Sequence, residues 1–193
     1  NNRLFKLRGV TTHATDPRAG KVISDELNLK DMRMMKEANI NFIRTSHYPN
    51  CPEFYKLCDR YGFYVIDEAD VETHGSVVVN NTFHWDWSDY TGIGLMADSP
   101  LYRKAILDRH ELLVKRDINR PSVIIWSLGN ESGNGTIFTE GADLIRKLDG
   151  TRPVHYESFH NQTGITEQAF DFISRMYPSV DDWEKEVEKA DKN

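Results

Sequence analysis

The feature that most constrains this chain is a β-branched, apolar stretch that ends abruptly in a short polar motif. Residues 122–125 (SVII) are followed by residues 126–133 (WSLGNESG). A run of this kind is typical of a strand buried on both faces of a parallel sheet. The strand ends near Glu131, which Asn130 and two glycines flank. In a parallel α/β barrel, chemistry takes place at the carboxyl ends of the strands, so Glu131 is the first candidate for a catalytic acid.

The rest of the sequence alternates between strand-like and helix-like segments, which predicts a parallel sheet. Residues 76–98, rich in Asn, Asp, Trp and Tyr, are predicted to form a long loop. Six strands fall short of a closed barrel, and 193 residues are fewer than the ~250 that a complete one needs. The predicted fold class is therefore α/β, a partial (β/α)8 TIM barrel of about six strand–helix units. The predicted strands are 4–10, 41–45, 63–66, 122–128, 154–157 and 172–176. The predicted helices are 27–38, 52–60, 100–118 and 138–148. A polar terminal helix is also predicted, and its apolar face consists of Trp183, Val187 and Ala190.

Charge and composition exclude several classes of protein. The net charge of −6 argues against a nucleic-acid partner, and no apolar run approaches the ~20 residues that span a bilayer. The first residues do not resemble a signal peptide. Cys51 and Cys58 are seven positions apart, about 10 Å along a helix, which is too far for a disulfide. We therefore expect free thiols, a cytoplasmic location and no membrane partner.

Polar side chains follow four of the predicted strands. Any one of them has an ordinary explanation, because a histidine beside a strand is more often structural than catalytic, and Glu68 or Glu72 could pair with a nearby Lys or Arg. Their recurrence favours function, since the strand ends of a barrel converge on one pocket. The residues are His13, Arg44, His47, Glu68, Glu72, His74, Asn130 and Glu131.

The sequence Glu72-Thr73-His74 places two potential metal ligands on one side of an extended backbone. Together with Glu131 they would offer two carboxylates and one imidazole. This set suits Mg²⁺ or Mn²⁺ with water completing the coordination shell, although zinc also accepts it. The spacing is short enough to arise by chance, so it indicates a metal site only in combination with other features.

Several motifs together resemble the catalytic domain of bacterial β-galactosidases of glycoside hydrolase family 2. The resemblance spans nearly the whole chain, and the motifs occur in the family's order and spacing. In this chain Ser follows the Asn-Glu pair. This makes it more similar to β-galactosidases than to β-glucuronidases or β-mannosidases, in which Pro usually follows the pair. The motifs are 9–10 (GV) with His13, 44–50 (RTSHYPN), 67–69 (DEA), 71–75 (VETHG), 121–133 (PSVIIWSLGNESG) and 176–177 (MY).

The resemblance implies a role for each site residue. Glu131 would be the general acid/base of a retaining glycosidase, and Asn130 would contact the 2-hydroxyl of the sugar. An active-site Mg²⁺, with Mn²⁺ as a possible substitute, would be held by Glu72, His74 and Glu131. The remaining substrate-binding residues would be His13 and His47 on galactosyl hydroxyls, and Arg44 and Tyr177 beside the nucleophile.

The sequence departs from the family pattern in two places. The family's nucleophile lies on the seventh strand in a Cys-Glu-Tyr motif, and no such motif follows Tyr177. Glu157 also lies at a strand end but is displaced by two strands, which is incompatible with carboxylates ~5 Å apart. The segment after His13 is less histidine-rich than is common in the family. We therefore expect residues 1–193 to be an incomplete barrel domain, without the N-terminal sandwich domains and the last barrel strands, and to be inactive alone.

Three functions remain open at this stage. The first is a β-galactosidase acting on terminal β-galactosides such as lactose, with a small carbohydrate as its partner and the complete protein a homo-oligomer. The second is a β-glucuronidase-like hydrolase of the same family. The third is a non-catalytic module that binds sugar or metal. Kinetics on galactoside and glucuronide substrates would separate the first two, and binding without turnover would identify the third.

Overall fold

The computed structural model describes residues 5–81, 84, 90–157, 169–172, 174 and 176–190, without the side chains of 186–190. Within these residues, five strands alternate with helices. The strands are β1 (Gly9–Thr12), β2 (Phe42–Thr45), β3 (Tyr64–Glu68), β4 (Val123–Asn130) and β5 (Val154–Glu157). The helices are α1 (Asp25–Glu37), α2 (Pro52–Tyr61), α3 (His74–Asn80), α4 (Pro100–Asp117), α5 (Thr136–Leu148) and α6 (Val180–Ala190).

The five strands form one parallel sheet in the order β1-β2-β3-β4-β5. Each strand therefore pairs with its neighbour in sequence, and the intervening chain crosses back from one end of the sheet to the other. This order is that of consecutive units of an α/β barrel, which confirms the predicted fold class. Among the described residues, no helix is both long and apolar enough to cross a membrane.

Alternate residues of the central strands face opposite sides of the sheet, as the pleat requires. On β4, the Trp126 indole donates to Asp149 at the end of α5, whereas the Ser127 hydroxyl donates to Glu68 on β3. On β3, Asp67 accepts from Tyr55 of α2, while Glu68 faces Ser127. Trp126 and Asp67 therefore face the helices, and Ser127 and Glu68 face the interior of the barrel.

The apolar core lies between the sheet and the helices. Met32 of α1, Tyr55 and Cys58 of α2 and Val114 of α4 are almost fully buried there. Pro lies in the first turn of α2 and of α4, where its missing N–H costs no hydrogen bond. Cys51 and Cys58 are both free thiols, as predicted.

Residues 76–98 differ from the predicted loop, because α3 occupies the first part of this segment. The run Val77-Val78-Val79 is a poor helix former, so the sequence pattern favoured a loop. Tertiary contacts override that preference: Val77 is buried, and the Ser76 hydroxyl lies 2.7 Å from the carbonyl of Gly92.

The predicted sixth strand at 172–176 is also wrong in its described part, since residues 172, 174 and 176 form no strand. This segment nevertheless runs beside β5. The backbone N–H of Asp171 donates to the carbonyl of Val154, and the carboxylate of Asp171 accepts from the N–H of Val154. The Ser174 hydroxyl donates to Glu157. The contacts with β5 that the described residues make thus include side chains as well as the backbone of Asp171. At the terminal helix, Trp183 is exposed, and the predicted apolar partners Val187 and Ala190 have side chains outside the described set.

A pair of buried carboxyl groups lies between β3 and the helices. Asp67 has no exposed surface and Asp117 of α4 is 1% exposed. Burial, and then the negative charge of Asp117, raises the pKa of Asp67 well above its ordinary value. Oδ1 of Asp67 accepts from the Tyr55 hydroxyl, and Asp117 pairs with Arg116. Oδ2 of Asp67 has no donor among the described residues, which is consistent with a protonated carboxyl group whose pKa is raised.

We predict that Asp67→Asn reduces the pH dependence of the protein's stability. The pKa of Asp67 is raised on folding, so the folded form holds a proton that the unfolded chain releases above about pH 4. Stability therefore falls as the pH rises through this window, at about 1.4 kcal/mol for each unit of the pKa difference. Asparagine imitates the protonated acid and removes this term. Urea unfolding of the complete protein between pH 5 and pH 8 measures the effect.

Asp108→Asn is the matched control, because Asp108 is exposed on α4. Its pH profile should coincide with that of the unmodified protein. A profile for Asp67→Asn that is as steep as the control's would show that Asp67 is ionised in the folded state.

Candidate active site

The carboxyl ends of β2, β3 and β4 meet at a buried carboxylate. Glu68, the last residue of β3, has no exposed surface and accepts four hydrogen bonds. Arg44 of β2 donates from Nε at 2.7 Å and from Nη2 at 3.0 Å. His47 approaches through Nδ1 at 2.7 Å, and the Ser127 hydroxyl donates at 2.8 Å. Burial alone would raise the pKa of Glu68, but the bonds from His47 and Arg44 outweigh it and lower the pKa.

Asn130, the last residue of β4, connects this cluster to the acidic residues beyond it. Its amide oxygen accepts from Nη2 of Arg44 at 2.9 Å. Its amide nitrogen donates to Glu72 at 2.9 Å and to Glu131 at 3.3 Å. Because the oxygen faces a cation and the nitrogen faces two carboxylates, the amide has only one favourable orientation.

His74 lies between the exposed carboxylate of Glu72 and the half-buried carboxylate of Glu131. Its Nδ1 is 3.3 Å from Glu72, and its Nε2 is 3.2 Å from Glu131. Hydrogen bonds to Glu131 and then to Glu72 raise the pKa of His74 to about 9, and the bond from His74 lowers the pKa of Glu72 to about 2. One ligand atom from each of Glu72, His74 and Glu131 lies within 4.8 Å of the others. The structure thus brings the three predicted metal ligands together.

The backbone at the end of β4 is unusual at two positions. Gly129 has φ of +140° and Glu131 has φ of +40°, both in regions that L side chains rarely adopt. Tertiary hydrogen bonds hold this shape: Asn130 N–H donates to the carbonyl of Val71 at 2.9 Å, and Glu131 N–H to that of Glu157 at 3.0 Å. Strain of this kind persists only where the surroundings fix the backbone, and it is common at functional sites.

His13, in the chain after β1, extends the site beyond His47. The two rings are 5.3 Å apart in an edge-to-face arrangement. Burial, and then the nearby His47, lowers the pKa of His13, which favours a neutral ring. Tyr48 lies 6.1 Å from His13 and accepts a hydrogen bond from Lys21.

One predicted site residue lies apart from the rest. Tyr177 is 95% exposed and has φ of +45°. Glu157, the other strand-end carboxylate, is buried beside His155 and Ser174, and its Oε1 has no partner among the described residues. The seven other predicted residues are close together, namely His13, Arg44, His47, Glu72, His74, Asn130 and Glu131.

The sequence pattern identified Glu68 as a strand-end acid without showing its importance, and it missed Ser127 and His155. Ser127 lies 2.9 Å from Nδ1 of His155 as well as contacting Glu68. Both residues interrupt apolar strands at positions that face the barrel interior. A polar residue at an inward-facing position of a buried strand was the signal that could have found them.

Comparison with known proteins gives a consistent result. A family model described as "Glycosyl hydrolases family 2, TIM barrel domain" matches residues 1–193. A β-galactosidase of Actinobacillus pleuropneumoniae is 42% identical over 203 residues, covering 94% of this chain and 20% of that protein. A β-galactosidase of Lactococcus lactis subsp. lactis strain IL1403 is 41% identical over 181 residues, covering 94% of this chain and 17% of that protein. The chain thus spans about a fifth of the length of these relatives.

Among solved structures, a β-D-glucuronidase of Dictyoglomus thermophilum matches with a TM-score of 0.65 and 28% sequence identity. The match covers 79% of this chain and 26% of that chain. The fold is therefore shared with this β-D-glucuronidase.

We predict that Gly129→Ala destabilises the protein by more than about 2 kcal/mol. A Cβ atom at this position would lie 2.5 Å from the carbonyl oxygen of Val71, and the positive φ adds strain of ~1–3 kcal/mol. That carbonyl also accepts from Asn130, so the substitution would displace the site as well. Urea unfolding measures the change in free energy.

Gly150→Ala provides the matched control. A Cβ atom there would lie 3.5 Å from the carbonyl oxygen of Arg146, which is ordinary contact. We expect less than about 1 kcal/mol for this variant. Equal losses in the two variants would refute the proposed steric role of Gly129.

Proposed function

The chain belongs to glycosyl hydrolase family 2, and we propose that the complete protein is a retaining β-galactosidase that hydrolyses terminal β-D-galactosides such as lactose. The observation that carries this proposal is the convergence of Glu131, Asn130 and Arg44 at adjacent strand ends. The choice of sugar is supported by the two β-galactosidases, which are 41–42% identical to this chain, against 28% for the glucuronidase.

In this mechanism Glu131 acts first as an acid and then as a base. Its carboxyl group donates a proton to the glycosidic oxygen as the bond from C1 to that oxygen breaks and a second carboxylate attacks C1. The resulting carboxylate of Glu131 then takes a proton from water as the water oxygen bonds to C1 and displaces the second carboxylate. We propose that this second carboxylate, about 5 Å from Glu131, comes from a barrel strand outside these 193 residues.

Three groups of residues would hold the sugar. The Asn130 amide, fixed by Arg44, would bind the 2-hydroxyl, where hydrogen bonds strengthen in the transition state. His13 and His47 would bind other galactosyl hydroxyls, and Arg44 would lie beside the nucleophile. The proposed place of Tyr177 near the nucleophile requires further barrel strands to enclose it, because it is exposed here.

Two cations at the described strand ends already bond within the protein, which supports a neutral sugar over a glucuronide. A uronate carboxylate calls for a cation that is free to bind it. Arg44 already donates to Glu68 and Asn130. Lys21, near His13, donates to the Tyr48 hydroxyl and lies over its ring.

Glu72, His74 and Glu131 fit a divalent cation. Their ligand atoms lie within 4.8 Å of one another, and two of the three residues are carboxylates, whose oxygens Mg²⁺ prefers. We propose that they hold Mg²⁺, with Mn²⁺ as a possible substitute. When bound, the ion would offset negative charge around the acid/base. Asn130, through its bond to Glu72, would keep one of the ligands in place.

We predict that Glu131→Gln in the complete enzyme lowers the turnover of lactose by about 10²–10⁴-fold. Glutamine keeps the shape of the side chain but supplies no proton to the glycosidic oxygen. A dinitrophenyl β-galactoside should lose much less in the glycosylation step, because its leaving group needs no proton. Steady-state kinetics on the two substrates measures this difference.

Glu111→Gln serves as the control, since Glu111 pairs with Lys115 on the surface of α4. It should behave as the unmodified enzyme, and the isolated 193-residue chain should show no turnover. Equal losses in kcat/KM, which reports the glycosylation step, on both substrates would contradict the acid role of Glu131. Faster turnover of a glucuronide than of a galactoside by the unmodified enzyme would contradict the proposed substrate.

We also predict that His74→Ala weakens Mg²⁺ binding by at least about 10-fold, because it removes one of three protein ligands. Titration calorimetry on the metal-stripped complete protein measures the affinity without depending on activity. His84→Ala is the control: His84 is exposed and is not one of the three clustered residues. Unchanged affinity in His74→Ala would exclude His74 as a ligand.

A further inference from the structure

Among the described strand-end residues, Glu68 has the carboxylate with the most hydrogen bonds, and it is buried. Each of its two oxygens accepts two hydrogen bonds, Oε1 from Arg44 and His47 and Oε2 from Arg44 and Ser127. Its backbone N–H also donates to the Thr45 hydroxyl at 3.0 Å. Because its exposed fraction is 0%, Glu68 cannot touch a bound sugar and can act only through its partners.

Arg44 connects Glu68 to the proposed acid/base through Asn130. Arg44 uses Nε and Nη2 on Glu68 and also donates from Nη2 to the amide oxygen of Asn130. That bond directs the amide nitrogen towards Glu131. A planar guanidinium held by a two-point contact has little freedom to rotate, so the position of Glu68 is transmitted to the Asn130 amide.

The second partner is His47. Because Nδ1 of His47 is 2.7 Å from an anionic oxygen, Nδ1 carries the ring proton. In the neutral ring, Nε2 then holds a lone pair and accepts a hydrogen bond rather than donating one. Glu68 thereby determines which kind of hydroxyl contact the ring can make.

We propose that Glu68 is a positioning residue that sets the orientation of Asn130 through Arg44 and the tautomer of His47. This inference rests on the proposed function, in which Asn130 binds the 2-hydroxyl of the sugar. It predicts that replacing Glu68 lowers kcat/KM most for substrates that carry this hydroxyl. A residue that only stabilised the fold would affect all substrates alike.

The test compares a nitrophenyl β-galactoside with its 2-deoxy counterpart on the complete enzyme carrying Glu68→Gln. The glutamine amide introduces a donor where four donors converge, so at least one partner is displaced. We expect kcat/KM for the galactoside to fall about 10- to 100-fold further than that for the 2-deoxy substrate, the worth of one charged hydrogen bond. Glu68→Asp, which keeps the charge but retracts it, should reduce the same preference and is the second variant if Glu68→Gln does not fold.

Asp67→Asn is the matched control. Asp67 precedes Glu68 on the same strand and is equally buried, but it faces the helices. The same acid-to-amide change there should leave the preference for the 2-hydroxyl intact. If Glu68→Gln and Glu68→Asp both keep that preference, the positioning role is wrong. If the unmodified enzyme turns over neither galactoside nor glucuronide, the proposed function itself is wrong.

Discussion

The ion pair between Arg44 and Glu68 is the interaction on which the arrangement of the site depends. It joins β2 to β3, and the Ser127 hydroxyl extends the contact to β4. A shift of β3 by one residue would turn Glu68 towards the helices and place Asp67 inside the barrel. Glu68 would then lose its hydrogen bonds, and Asp67 would lose its contacts with Tyr55 and Asp117, so buried polar groups would be left without partners. The paired polar groups therefore fix the register that the apolar residues alone would leave less certain.

In this register Glu131 has a positive φ, a backbone conformation that glutamate rarely adopts. Gly129 and Glu131 both have positive φ, and the pairing of β4 with β5 is irregular between Ser127 and Asn130. The carbonyls of Val71 and Glu157 compensate by accepting from Asn130 and Glu131. The carboxylate is thus held in place by long-range contacts rather than by local propensity. This is why glycine at 129 matters: only a residue without Cβ can approach Val71 so closely.

The sequence was sufficient to predict the parallel order of strands and the strand ends that carry Glu72, Asn130 and Glu131, because buried strands and the polar residues after them leave a local pattern. It was not sufficient for α3, where burial of Val77 overrides a weak helical preference. The predicted strand at 172–176 was wrong in its described part, where no strand forms although the side chains of Asp171 and Ser174 contact β5. The role of Glu68 depends on which residues face it across three strands, and no local pattern records that.

The proposed site combines groups that any retaining glycosidase needs with groups whose charge must suit the sugar. An acid/base and a group for the 2-hydroxyl serve any retaining glycosidase, so the roles proposed for Glu131 and Asn130 do not distinguish a galactoside from a glucuronide. Charge does distinguish them. A uronate carboxylate that took the Nε and Nη2 donors of Arg44 would deprive the buried charge of Glu68 of this partner, at a cost of ~3–5 kcal/mol. The ion pair that organises the strand ends thus opposes an anionic sugar that would compete with Glu68 for these two donors.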